Sequence, residues 1–169
     1  MKNLRRFLSA MVLMTIFAAD AIACSLTAGY RVPTTLELVS RADAIVLARV
    51  GRGEKRQITD NFTYDQAILR PVTLLKGQSM PTVIANNVMM ISDGKRLITQ
   101  PSDPRNLVDA HPDAFSGACN RYIFDEGMLL LVFLTIDGGA YHIYAPPFTR
   151  TLEDVPSEDA LWVKTIKAY

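Results

Sequence analysis

Cysteine, histidine and tryptophan are scarce in this chain: two cysteines, Cys24 and Cys119, two histidines, His111 and His142, and one tryptophan, Trp162. No HExxH, GxSxG or CxxC spacing ties any of them together, so the scaffolds of zinc-dependent proteolysis, nucleophile-elbow hydrolysis and dithiol redox chemistry are missing. A catalytic cluster would have to combine His111 or His142 with Asp109, Asp113 or Cys119, and nothing in the spacing holds such a group together. The chain therefore reads as non-catalytic, with no cofactor and no metal site. Beyond residue 23 it also lacks an uninterrupted apolar run approaching the ~20 residues that span a hydrocarbon core, and it has no internal repeat. No transmembrane helix is expected, and a lipid would be the only membrane anchor.

An excess of charge of either sign is lacking too, with 18 basic and 17 acidic residues. A field that sums to about zero attracts neither nucleic acid nor an anionic bilayer. Arg49, Arg52, Lys55 and Arg56 do cluster near Phe62 and Tyr64, but such a charge run reads first as a solvated face. No nucleic-acid partner is expected.

What is present begins at the N-terminus. Lys2, Arg5 and Arg6 precede an uncharged apolar run from Phe7 to Ala19, and Ala21-Ile22-Ala23 supplies a small-x-small cleavage pattern. This is the layout of a removable secretory signal over residues 1–23, which makes Cys24 the first residue of the working protein and places it in the periplasm or outside the cell. Arg5-Arg6 runs directly into Phe7-Leu8 and reads as ordinary positive charge rather than a twin-arginine signal. Residues 24–169 are enough for one domain with one substantial core.

Both cysteines survive cleavage. In an oxidising compartment an isolated pair is most simply a Cys24–Cys119 disulfide, tying the new N-terminus to the middle of the domain. A second reading stands beside it: Ala21-Ile22-Ala23-Cys24 also resembles the box of a bacterial lipoprotein, in which the cysteine sulfur carries a lipid and tethers the chain to the cell envelope.

Along the mature chain, Thr34-Thr35-Leu36-Glu37 after Pro33 has capping-box spacing and predicts a short helix. Ala44 to Val50 is an apolar, partly β-branched run that predicts a strand buried on both faces and closed by Gly51, with Arg52 to Asp60 a solvated loop or strand extension. A long strand from Tyr64 to Leu75 follows; Pro71 cannot donate to a ladder and predicts a bulge or an edge position there. Lys76-Gly77 ends that strand, and Thr82 to Ala85 begins another. From Ser92 to Cys119, through Pro101, Pro104, Arg105, Pro112 and Gly117, the chain is unpatterned, and a loop of that length in a small domain points to function. Met128 to Leu134 predicts the central strand, Asp137-Gly138-Gly139 a hairpin turn, and Ala140 to Tyr144 its return, stopped by Pro146-Pro147. Ser157 is the expected N-cap of a C-terminal helix, with Glu158 and Asp159 at its start, Lys164 and Lys167 at its end, and Trp162, Ile166 and Tyr169 on its core face.

Five strands between two helices predict a mainly β fold, a small closed barrel. The chain resembles the netrin-like family, which includes the tissue inhibitors of metalloproteinases, through its leading Cys24, Ala42 to Val50, Leu74-Leu75-Lys76-Gly77, Cys119, and Phe124 to Phe133. The resemblance covers most of residues 24–169 and implies a five-stranded OB-type barrel that acts by protein–protein interaction, with an extracytoplasmic protease a possible partner. The short signal and few cysteines fit a bacterial member. In the inhibitors, the amino group and carbonyl of the leading cysteine chelate the target's zinc, a role the resemblance offers to Cys24; those inhibitors open Cys-x-Cys, where this chain has Cys24-Ser25-Leu26. The expected contact surface joins Cys24, Ser25 and Leu26 to the loop residues Arg105, His111 and Asp113.

Overall fold

The computed structural model describes residues 28–59, 62–91, 102–115 and 123–169. The expected signal, Cys24, Ser25, Leu26 and Cys119, and with them the expected disulfide, lie outside these residues.

The first helix, α1 (Thr35–Arg41), starts where the capping box places it: the Thr34 hydroxyl accepts from Glu37 N at 3.2 Å, and the Glu37 carboxylate accepts from Thr34 N at 2.9 Å. At its other end the Lys76 ammonium donates to the carbonyls of Val39 (2.7 Å) and Ser40 (3.1 Å), satisfying acceptors that a helix C-terminus leaves open.

Seven strands follow among the described residues: β1 (Ala44–Thr59), β2 (Phe62–Lys76), β3 (Val83–Ile91), β4 (Ile123–Asp125), β5 (Leu129–Asp137), β6 (Ala140–Ile143) and β7 (Leu152–Asp154). They form one sheet in the order β4-β3-β2-β1-β5-β6, with β7 also paired to β5. Every pairing is antiparallel except β3 with β4. A second helix, α2 (Leu161–Lys167), closes the chain.

β1 and β5 are the apolar runs, and period-2 alternation divides them between two cores. Ala44, Val46, Ala48 and Val50 face one side with Leu130, Val132 and Leu134, joined by Ala67, Leu69, Val83 and Phe124. Ile45, Leu47, Leu129, Leu131 and Phe133 face the other, covered by Leu38 and Val39 of α1 and by Trp162, Val163 and Ile166 of α2. The sheet curls around the first core, and both helices lie over the second. Each such fully buried leucine or phenylalanine contributes about 1.5–3 kcal/mol relative to exposure.

The bulge at Pro71 is present: Ala48 pairs Pro71 and Leu47 pairs Thr73, so Val72 is the extra residue, and β3 pairs β2 only as far as Leu69. The Asp137–Ala140 hairpin also forms, with Gly138 and Gly139 at φ of 56° and 80°. Gly77 ends β2 at φ 90°, with its Cα so close to Asp43 O and Ala44 that a Cβ would collide with their backbone.

Four expectations need correction. Gly51 does not close β1, which continues through the charged stretch to Thr59, because polar residues fit a strand whose outer face meets water. Five strands become seven, since β4 and β7 have three residues each, too few to show alternation. The sheet is open: β6 spans four residues before Pro146-Pro147, and although it comes within 8 Å of β3, Cα to Cα, no ladder joins the two among the described residues. Finally, α2 begins at Leu161 after an Ala160 N-cap that makes no side-chain hydrogen bond; Ser157 instead accepts from Ala160 N through its carbonyl, and Tyr169 is exposed while Trp162 and Ile166 are buried.

Candidate binding surface

The segment 102–115 is built rather than loose. Pro104 at its start and a capping arrangement at Asp103, whose carboxylate accepts from Arg105 N while Asn106 Oδ1 accepts from Asp103 N (both 2.9 Å), produce a 3₁₀ turn over Pro104–Leu107. Leu107 is buried in the helix-covered core, and the carbonyl of Asp109 accepts from Thr35 N at 3.4 Å, binding the segment to the start of α1. A second 3₁₀ turn, Pro112–Phe115, is held by Ala114 N donating to His111 O at 2.9 Å.

Three large apolar side chains stand exposed on the elements packed around the first turn: Leu36 of α1 (38% exposed), Val108 just past the turn (65%) and Leu161 of α2 (68%). Two ion pairs stand on the stretch leading into α1 and on the first turn. Arg31 grips Glu37 bidentately at 2.6 and 2.8 Å, and Arg105 grips Asp103 through Nε at 2.8 Å and Nη2 at 3.2 Å. The Arg31 guanidinium, then the Thr34 N–H, hold the Glu37 carboxyl down to about 2; the Arg105 side chain, then its N–H, lower that of Asp103.

A buried carboxylate ties the start of the segment to α2. Glu153 of β7, 6% exposed, accepts from Ser102 N at 2.5 Å, Ser102 Oγ at 2.7 Å and Trp162 Nε1 at 3.1 Å, and faces Arg150 Nη1 at 3.5 Å. It thus joins segment, sheet and α2 at one point. Burial is the largest influence on Glu153 and raises its pKa above the ordinary carboxylate value, against the opposing hydrogen bonds of Ser102 and the charge of Arg150.

A second surface feature adjoins the N-terminal segment. Phe148 holds the left-handed φ of 62°, rare for a bulky residue, and its ring lies 6.2 Å from that of Tyr30, whose hydroxyl donates to Pro147 O at 3.1 Å. On the far side of α2 a shallow cleft of about 590 Å³ lies over Leu75 and Thr73; its acids are engaged, Glu158 with Thr73 at 2.5 Å and Asp159 with Lys164 at 3.1 Å.

Of the expected contact residues, Arg105 is exposed on this face, whereas His111 is 5% exposed and packs inward, so it presents no contact surface. Asp113 sits on the second 3₁₀ turn. The basic cluster of β1 is spread along the strand, with Arg52 facing Asp65 at 3.9 Å. Glu153 was not among the residues the sequence singled out. Its one signal is indirect: a tryptophan expected in the core carries an N–H that needs an acceptor there.

Among the described residues no three His, Cys, Asp or Glu side chains gather as metal ligands, and no helix is long and apolar enough to cross a membrane. Comparison with protein-family models, with curated proteins and with solved structures finds no match.

Proposed function

We propose that this chain is an exported, non-catalytic binding domain of netrin-like type, which grips a partner protein through the face built by α1, the 102–115 segment and α2. The observation that carries the reading is that three elements meeting at the first turn each expose a large apolar side chain, Leu36, Val108 and Leu161, and that the buried node at Glu153 ties two of those elements, the segment and α2, to the sheet. Apolar side chains scattered singly are ordinary on a protein surface, but three on elements packed about one turn, with ion pairs on two of those elements, fit a contact face. The near approach of β3 and β6 supports a barrel-like curl of the OB type.

The test is site-specific photo-crosslinking in the native host, with a photoreactive residue at Val108 and, as control, at Ile84, which is exposed on β3. The expected result is a discrete protein adduct from position 108 and none from 84. Equal labelling at both positions, or none at 108, would contradict the reading.

A further inference from the structure

The node at Glu153 has the chemistry of a latch. The charge is inside the protein, its four donors come from three different parts of the chain, and the contact with Arg150 is long. Detaching Ser102 would admit water to the carboxylate, so the closed and open forms of the segment differ in how well they tolerate the charge.

We propose that Glu153 is an acid-tightened latch on the binding face: protonated, it holds the 102–115 segment closed, and ionised, it lets the segment open. The direction follows from linkage. Burial raises the folded pKa, so the proton binds the closed form more tightly than an open form in which water reaches the carboxylate; the latch is firmest at low pH and weakens as pH rises through the raised folded value. A protonated carboxyl keeps its partners, since the Ser102 hydroxyl can turn to accept the new O–H while Ser102 N and Trp162 Nε1 still donate.

The charged groups around Glu153 are few. Arg150 and Asp154 flank it on its own stretch of chain, and the residue opposite on β5 is Leu131. Ser102 and Trp162 are neutral. Asp103 and Arg105 are paired with each other at the exposed end of the segment, whose other titratable groups are Asp109, buried His111 and Asp113. Glu153→Gln separates the contribution of Glu153 from theirs, because it leaves Asp109, His111 and Asp113 in place.

The proposal rests on the reading that this segment carries part of the binding face, but its test needs no partner, so its failure would leave that reading standing. Amide hydrogen exchange of the full chain is followed from pH 4.5 to 7.5 and corrected for the intrinsic exchange rate at each pH, comparing residues 102–115 with the core strands 44–50 and 129–134. Protection of the segment should fall as pH rises, by about tenfold for each unit separating the closed and open pKa values, while the core strands stay level. Glu153→Gln sets an amide N–H against one donor of the node, so protection drops at every pH, and the pH dependence should vanish. A change below about twofold in the native chain, protection that falls toward low pH, or a dependence that survives Glu153→Gln would each overturn the latch.

Discussion

Replacing Trp162 by Phe tests the node with little loss of packing. The indole is 6% exposed among Leu38, Leu107 and Ile166, so phenylalanine keeps most of the apolar burial. What it removes is the Nε1–H that donates to Glu153 Oε2 at 3.1 Å. A hydrogen bond to a charged group is worth about 1.5–3 kcal/mol, and the smaller ring adds about 1 kcal/mol of lost contact and cavity. The sum is about 2.5–4 kcal/mol, which for a chain of this length lowers Tm by roughly 5–16 °C. Urea unfolding followed by far-UV circular dichroism is the suitable assay, because the substitution removes the chain's single tryptophan and with it the fluorescence probe. A double-mutant cycle isolates the bond: in a Glu153→Leu background the substitution should cost about 1.5–3 kcal/mol less. A cost below about 0.5 kcal/mol in the native background, or equal costs in both, would refute the reasoning.

Gly77→Ala should destabilise by at least about 1–2 kcal/mol from the left-handed φ alone, and by more because its Cβ meets the backbone of Asp43 and Ala44; chemical denaturation reads this out, and an unchanged midpoint would mean the β2 end can relax. Leu131→Ala, at the centre of the helix-covered core, should cost about 2–5 kcal/mol by the same assay. Glu37, held down to about 2, contributes stability that is present above its unfolded pKa and lost as pH falls toward 2; Glu37→Gln should therefore flatten the acid limb of Tm between pH 4.5 and 2. If the proposed Cys24–Cys119 disulfide forms, Cys119→Ser should lower stability under oxidising conditions by up to ~4–5 kcal/mol, and an unchanged Tm would remove the bridge.

How much of this was readable from residues alone depends on the length of each pattern. β1 and β5 declare themselves through runs of five and seven consecutive apolar residues, Ala44 to Ala48 and Met128 to Leu134, which fit an element buried on both faces, and the shortness of the runs favours strand over helix. The capping box of α1, the Pro71 bulge and the Gly138-Gly139 turn are local chemistry, so they needed no tertiary information. β4 and β7 carry no local signal: three residues become a strand only because Met89 to Ile91 and Leu130 to Val132 offer them unpaired edges. The same holds for the surface. Arg105 was expected at the surface and is exposed, but His111 is buried, which its place in an unpatterned stretch beside Pro112 did not signal. Glu153 was hidden for the same reason, since its partners lie 51 residues before it and 9 after it.

The most direct test of the proposal that this is an exported domain beginning at Cys24 is the intact mass of the protein purified from its own host, with and without reduction and alkylation. The predicted mass is that of residues 24–169 less two hydrogens, gaining two alkyl groups only after reduction. A mass retaining residues 1–23 would contradict export by a cleaved signal, and one enlarged by lipid would contradict a free Cys24 terminus and make the protein a tethered lipoprotein of the envelope.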